Sequence, residues 1–306
     1  MQHHLEPEQQ HNPVEKALLE EVHRRELVRF LECLQSQECS VLIMKGTALA
    51  YSKYGEPSDR PRLDTDVWIR PSQVQSVKTT LQKGGFHYYP TNHGTLVHTQ
   101  MVFYSIDRSG QKHYFDVHWH PFNPVLLRDV LTFEEAWATS EKLNLSGFVS
   151  RRPADFHQVL LSCAHWAGHH FLSPSPIWIQ DLVVLTEDKD ELWWKSLVQL
   201  FKAKGLSAMG GQIFAYCRTQ GLSKIPEFVI PSLLKDCAGE KSRYFLRPDR
   251  NRLRDLLFDL KCLPTWRLKI QLLKEHLFPD SEYLRGASPI LRILKGLKKL
   301  TSISRP

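Results

Sequence analysis

The sequence predicts an α+β fold, with the strands confined to the chain before residue 123. Apolar residues recur every three to four positions over residues 13–39, short strand-like runs fill residues 40–118, and helical spacing prevails afterwards. A chain of 306 residues has room for roughly two structural units. The predicted segments are an N-terminal helical segment (1–39), a strand-bearing core (40–122), and a helical domain with a basic C-terminal region (123–306).

The first predicted elements are a long helix and a buried strand. Pro13 suits the first helical position and opens an amphipathic helix that is predicted to run to residue 39. The apolar run over residues 40–44 then indicates a buried strand that enters a tight turn at Lys45-Gly46. Helical spacing resumes at Thr47 and continues to Tyr54, before glycine and proline residues break it.

Alternating polar and apolar residues predict a strand over residues 63–69, with one face buried. The predicted buried face carries Leu63, Thr65, Val67 and Ile69. Asp64 and Asp66 project together from the opposite face, because side chains two positions apart on a strand point the same way.

A helix and three strands are predicted next. Ser72 is a suitable N-cap for a helix that continues to Lys83, and Gly84-Gly85 ends it. The three strands cover residues 86–89, 96–106 and 112–118, with a hairpin over residues 107–110 between the last two.

Strand patterns fade from about residue 123, and the rest of the chain predicts helices alone. Prolines lie at or just before several of their starts, where proline is tolerated. The predicted helices cover residues 133–142, 153–170, 176–187, 190–204, 207–221, 250–260, 264–276 and 289–301.

Composition is that of an ordinary globular protein, with 42% hydrophobic and 24% charged residues. The sequence contains no apolar run long enough for a transmembrane helix, and its first residues are acids and glutamines rather than the apolar stretch of a signal peptide. We therefore expect a cytoplasmic protein. The six cysteines are widely spaced without a CxxC pair, which is unlike a zinc ribbon and favours reduced thiols.

Positive charge is concentrated in the C-terminal quarter of the chain. Residues 241–306 hold 16 Lys and Arg against 6 Asp and Glu, a net of +10, whereas the whole chain carries +7. Such a region attracts nucleic acid, an anionic cosubstrate or a membrane surface, or it is the solvated face of ordinary helices. The basic amphipathic helix predicted near its end fits either a membrane or RNA surface or docking on its own domain.

Asp64 and Asp66 form the most informative pattern. Two carboxylates on one strand face repel each other unless cations neutralise them, and Asp116 on a later strand supplies a third. Hard oxygen ligands of this kind suit paired Mg²⁺ ions in phosphoryl or nucleotidyl transfer. Lys45 and Gly46, at a predicted strand-to-helix turn, could hold a nucleotide's phosphates through a positive charge, close backbone approach and a helix N-terminus.

Three ordered segments carry a family resemblance. They are Leu42-Ile43-Met44-Lys45-Gly46-x-Ala48-Leu49, Arg62-x-Asp64-x-Asp66-Val67-Trp68-Ile69 and Phe115-Asp116-Val117-His118-Trp119. Together they resemble the nucleotidyltransferase superfamily of the DNA-polymerase-β type, and most of all its bacterial "nucleotidyltransferase family protein" branch. The match covers roughly residues 40–120 and is diffuse beyond them.

The resemblance implies a small mixed sheet flanked by helices and a site that uses two Mg²⁺ ions and an NTP. In this site Asp64, Asp66 and Asp116 are the catalytic metal ligands, and Lys45, Gly46, Thr47 and Arg62 bind the nucleotide. The Gly-Ser pair of the superfamily is absent, so Thr47 or Lys45 takes the place of the serine. The branch also often carries a His-rich helix followed by Trp-x-x-Asp-Leu, which residues 165–170 and 178–182 resemble.

Other polar residues admit more than one interpretation. Arg60 and Arg62 reach the triphosphate, neutralise Asp59, or form a solvated loop pair. His165 and His169 have a spacing that can bind zinc, although packing or substrate contact between the two units is the simpler reading. Asp181 lies in an apolar run, which indicates either a partner such as an arginine or a helix terminus, or a substrate-side role.

These patterns predict a Mg²⁺-dependent nucleotidyltransferase that moves a nucleoside monophosphate from an NTP, ATP being one candidate, to an unidentified acceptor. The acceptor classes left open are a small molecule, a peptide, a protein and an RNA end. The alternative is a catalytically degenerate module that binds a nucleotide, or binds nucleic acid through the basic C-terminal region.

Overall fold

The structure, a computed structural model, describes residues 12–90, 94–170, 175–221, 224–278 and Leu294. Within these ranges the protein has a mixed α+β fold, which confirms the predicted fold class. No helix of the described ranges combines enough length with enough apolar character to cross a bilayer. The helix predicted at 289–301 lies outside the described residues, apart from Leu294.

Helices dominate both ends of the described chain and strands the middle. The strands are β1 (Val41–Ile43), β2 (Asp64–Ile69), β3 (His87–Tyr89), β4 (Gln100–Ile106), β5 (Lys112–His118), β6 (Glu141–Leu145) and β7 (Phe148–Arg152). The α-helices are α1 (Pro13–Gln35), α2 (Lys45–Ala50), α3 (Val74–Lys83), α4 (Val125–Arg128), α5 (Phe133–Ala138), α6 (Asp155–His169), α7 (Pro176–Thr186), α8 (Glu191–Ala203), α9 (Ser207–Thr219), α10 (Val229–Leu234), α11 (Arg252–Cys262) and α12 (Trp266–Leu277).

Five strands form a mixed sheet in the order β1-β2-β5-β4-β3. The central pair β2 and β5 is parallel, and each of the other pairs is antiparallel. In the parallel pair, Asp66 lies opposite Asp116 and Trp68 opposite His118. The site residues of two strands far apart in sequence therefore meet in the middle of the sheet.

Both faces of the sheet are buried. Ile43, Val67 and Val117 belong to a hydrophobic cluster with Phe30 of α1 and with residues of α3. The other face contributes Leu42, Met44 and Trp68 to a second cluster, which is made mostly of residues from the helical part of the chain. The side chains of one strand alternate between the two clusters, so the core and the helical part share a continuous interior. The division at residues 39 and 122 stays a prediction.

The prediction of a helix over residues 133–142 is wrong at its C-terminal end, and the hairpin of β6 and β7 was not predicted. Helix α5 stops at Ala138, and the next residues alternate between buried Leu143 and Leu145 and exposed neighbours. Ser146 and Gly147, both at positive φ, make the tight turn between the strands. The two leucines pack in the same cluster as the N-terminal helix, so the sheet-side core extends beyond residue 122.

Several other element boundaries also differ from the predictions. Leu63 is 62% exposed because the strand begins after it. The segment before β4 is not strand, since the backbone N–H groups of Thr95, Leu96 and Val97 donate to the Glu275 carboxylate rather than to a neighbouring strand. Ser72 does not cap α3, because a 3₁₀ turn that begins at Pro71 precedes that helix. Helix α1 ends at Gln35 rather than residue 39, and α10 was not predicted.

Candidate functional site

The acidic cluster lies on the two central parallel strands. Asp66 of β2 and Asp116 of β5 are register partners, and His118 lies two residues further along β5 on the same face. Candidate ligand atoms of these three side chains all lie within 4.8 Å of one another. Among the described residues, this is the group of three whose geometry could hold one metal ion.

Two nitrogen atoms contact the same oxygen of Asp66. Lys45 Nζ lies 2.7 Å from Asp66 Oδ1, and His118 Nε2 lies 2.7 Å from that oxygen as well. Lys45 is placed by the end of β1, where the Met44 N–H donates to the Asp66 carbonyl over 2.9 Å. Its backbone has φ of 52°, a left-handed conformation that a lysine adopts only when its surroundings hold it there.

The surroundings shift the pKa values of Asp66 and Asp116 in opposite directions. Burial, followed by the charges of Asp66 and Asp64, raises the pKa of Asp116 to about 8. Burial acts on Asp66 in the same direction, but the Lys45 charge and the His118 hydrogen bond outweigh it and lower the pKa of Asp66. The pKa of Lys45 is raised, because the attraction of the carboxylates exceeds the effect of burial. In the metal-free site Asp116 is therefore mostly protonated at pH 7, whereas Asp66 is ionised and paired with Lys45.

Asp64 lies beside this cluster rather than in it. It begins β2, is half-buried, and its charge contributes to the raised pKa values of Lys45 and Asp116. The predicted acidic set was Asp64, Asp66 and Asp116, whereas the group gathered in the structure contains His118 in place of Asp64. The sequence did hold a signal for His118, because it lies two positions after Asp116 on a strand.

The residues predicted to bind the nucleotide fall in different places. Lys45 is at the acidic cluster, while the Thr47 hydroxyl is buried and lies 3.4 Å from the Asp64 carbonyl. Arg62 Nη2 is 2.6 Å from Glu20 Oε1, and the Arg62 guanidinium also lies over the Tyr51 ring. The structure thus brings Lys45 to the acids and gives Arg62 a carboxylate partner on α1.

Gly46 is closely covered by Arg60. A Cβ added to Gly46 would lie 3.2 Å from the Arg60 guanidinium carbon, which is tighter than an ordinary contact. Arg60 in turn makes a two-point ion pair with Asp181 of α7, in which each hydrogen bond is 2.7 Å long. Of the interpretations considered for Asp181, the structure shows pairing with an arginine.

Three histidines at the end of α6 lie near the same site. Burial is the first cause that lowers the pKa values of His165, His169 and His170, and the positive charge of Lys45 adds to it. His170 Nε2 lies 3.0 Å from His165 Nε2, and the His170 ring packs on Trp178. These rings are therefore neutral at pH 7 and pack on one another and on Trp178.

The residues present suit a divalent cation. Two carboxylates on one sheet face supply the hard oxygen ligands that Mg²⁺ prefers. The ammonium of Lys45 already pairs with Asp66, and burial together with the charges of Asp66 and Asp64 raises the pKa of Asp116. His118 can donate its Nε2–H to Asp66 and so hold that carboxylate in place, the usual role of a second layer of hydrogen bonds around a metal.

A mixed sheet that presents paired aspartates on neighbouring strands, beside a lysine at a strand-to-helix turn, is the arrangement expected of a nucleotidyltransferase. A family model described as "uncharacterised nucleotidyltransferase" matches residues 10–220, more than half of the chain. The chain therefore belongs to this family, which confirms the superfamily to which its motifs were assigned.

Comparisons with individual proteins add little to this assignment. No match is found among curated proteins. Among solved structures, the chain is similar to an antigenic nucleotidyltransferase-like protein from Paracoccidioides brasiliensis, with 16% identity and a TM-score of 0.36. That alignment covers 61% of this chain and 92% of the other. Because the TM-score is low, the family assignment rests on the family model.

Proposed function

We propose that the protein transfers a nucleoside monophosphate from an NTP to an acceptor oxygen in a Mg²⁺-dependent reaction. The observation that carries this proposal is the cluster of Asp66 and Asp116 on adjacent parallel strands, with Lys45 2.7 Å from Asp66. Family membership supports a transferase that acts on a nucleotide.

Asp66 and Asp116 would hold Mg²⁺ through carboxylate oxygens, with Asp64 beside them as a further acid for a second ion. When bound, Mg²⁺ would supply positive charge to the transferring phosphate. His118 would keep Asp66 oriented through its hydrogen bond.

Lys45 and Gly46 would hold the triphosphate. The Lys45 ammonium lies at the carboxylates, within reach of a phosphate bound beside them, and acts as a point charge. Gly46 would contribute its backbone N–H, because the space of its absent side chain is already filled by the Arg60 guanidinium. The roles predicted for Thr47 and Arg62 stay proposals, since each makes contacts within the protein.

The reaction is a single displacement at phosphorus. An acceptor oxygen attacks the α-phosphorus, the bond from that phosphorus to the oxygen bridging to the β-phosphate breaks, and pyrophosphate leaves. The acceptor proton would pass to the Asp116 carboxylate, which lies beside Asp66 in the register of the two parallel strands. Positioning and charge stabilisation, rather than a covalent enzyme intermediate, would supply the rate enhancement.

Isothermal titration of ATP and of a non-hydrolysable analogue, with and without Mg²⁺, tests the proposal. We expect Mg²⁺-dependent binding that falls by about a hundredfold or more in Asp66→Asn, since this variant removes a charge-assisted ligand. The matched control is Asp188→Asn, because Asp188 is exposed in the helical part and has φ of 56°, which asparagine tolerates.

Each outcome has a clear reading. Binding that needs Mg²⁺ and Asp66, but not Asp188, supports the nucleotide site, and the acceptor can then be sought with α-labelled ATP. Equal binding by Asp66→Asn and wild type would show that the acidic cluster does not bind the Mg²⁺-nucleotide. Absence of ATP binding under every condition would overturn it and favour the degenerate module, whose contact through the basic C-terminal region stays a prediction.

A further inference from the structure

A buried ion pair joins the loop before β2 to the helical part of the chain. Arg60 Nε and Nη2 each donate to a different oxygen of Asp181, over 2.7 Å in both cases. Arg60 is 7% exposed and Asp181 5% exposed, and the Tyr54 hydroxyl donates to Asp181 over 2.8 Å. A two-point arginine–carboxylate pair fixes the plane of the guanidinium as well as its position.

The Arg60 guanidinium fixed in this way packs beside Gly46. Its central carbon and both terminal nitrogens lie 3.2–3.3 Å from the position of a Cβ on Gly46. The preceding residue, Lys45, has φ of 52°, a conformation that its surroundings must maintain. The group that lies beside the Lys45-Gly46 turn is thus held by Asp181 of α7.

We propose that Arg60 and Asp181 are positioning residues that set the Lys45-Gly46 turn for triphosphate binding. This inference rests on the proposed function. Asp181 acts through Arg60, and Arg60 acts through the packing of its guanidinium on Gly46, so neither residue needs to contact the nucleotide. The helical part of the chain would then determine the shape of the phosphate site, although Lys45 and Gly46 themselves lie at the start of α2, directly after β1.

A second buried carboxylate provides a matched control. Asp155 of α6 accepts from Lys53 over 2.6 Å and so also joins the segment after α2 to the helical part. It is 6% exposed, similar to Asp181, and it pairs in addition with Lys189 and Arg152. Asp155→Asn therefore removes a similarly buried charge from a set of ion pairs that does not include Arg60.

The first measurement is the affinity of ATP with Mg²⁺. We expect Asp181→Asn to weaken binding by about tenfold or more, since small displacements of binding groups have large effects. We expect Asp155→Asn to stay within about twofold of wild type, because Asp155 shares no partner with Arg60 or Asp181. Arg60→Lys should resemble Asp181→Asn, since lysine keeps the charge but not the planar fork, and it carries the test if Asp181→Asn fails to fold.

Wild-type affinity in Asp181→Asn or in Arg60→Lys would overturn the inference, and so would an equal loss in Asp155→Asn. A second measurement does not need the nucleotide: hydrogen exchange of the backbone amides of residues 44–50. These should exchange faster in Asp181→Asn than in wild type, but not in Asp155→Asn. If wild type binds no ATP, the proposed function fails and the exchange rates still decide whether the pair holds the turn; unchanged rates would show that it does not.

Discussion

Binding of Mg²⁺ should depend steeply on pH, because Asp116 must lose a proton before it can serve as a ligand. With the pKa of Asp116 raised to about 8, affinity should rise with pH up to about 8 and level off above it. Each pH unit below that value should cost about tenfold in affinity, or about 1.4 kcal/mol. Between pH 8 and pH 6 the expected loss is therefore about fiftyfold, because half of the Asp116 carboxyl groups are still protonated at pH 8.

The assay is isothermal titration of MgCl₂ at several pH values, in pairs of buffers with different ionisation enthalpies. At pH 7 we expect close to one proton released per ion bound, which is about 0.9 for a group with this pKa. In Asp116→Asn the binding should be weaker, and its pH dependence should be lost. Asp188→Asn is again the matched control and should retain the wild-type profile.

The same shift has a consequence for the metal-free fold. An unfolded aspartate loses its proton near pH 4, whereas folded Asp116 keeps it to about pH 8. The folded state therefore binds more protons than the unfolded state in this window, and stability falls as the pH rises through it.

Mg²⁺ affinity that is constant from pH 6 to 8, with no proton release, would refute the prediction that Asp116 loses a proton when Mg²⁺ binds.

Two substitutions test other parts of the structure. Gly46→Ala should weaken ATP binding with Mg²⁺ by about tenfold, because the added Cβ presses on the Arg60 guanidinium. The control is Gly55→Ala, where a Cβ meets nothing within 4 Å. Equal losses of affinity in the two variants, measured by isothermal titration, would contradict the role of this contact. Phe115→Ala should lower the free energy of unfolding by about 3–5 kcal/mol, since Phe115 is fully buried and stacks on Phe30. Urea denaturation would measure the free energy of unfolding, with Leu63→Ala at an exposed position as the control. A decrease in Phe115→Ala no larger than in Leu63→Ala would contradict the placement of Phe115 in the core.

Much of the site could be predicted because its signals are local. Alternation along residues 64–69 places Asp64 and Asp66 on one face whatever strand lies beside them, and the apolar run before Lys45 marks a buried strand entering a turn. Burial and backbone geometry act on each such segment separately. The same rule could have revealed His118 from its distance to Asp116.

The hairpin of β6 and β7 is a part of the fold that the local sequence pattern failed to predict. Its alternating leucines, Leu143 and Leu145, follow a short helix, and the helical trend of the surrounding chain was extended over them. Alternation over five residues is a weak signal on its own, and the hairpin is stabilised by packing against the sheet-side core.

By itself, the sequence determined the fold class and predicted the acidic residues and the lysine turn, because these follow from the spacing of residues within single elements. Only the tertiary structure decided their partners. Asp66 faces Asp116 because β2 and β5 are parallel neighbours, and Arg60 meets Asp181 across 121 positions of the chain. Strand order and helix docking create these contacts, and both depend on how the whole interior packs rather than on any local pattern.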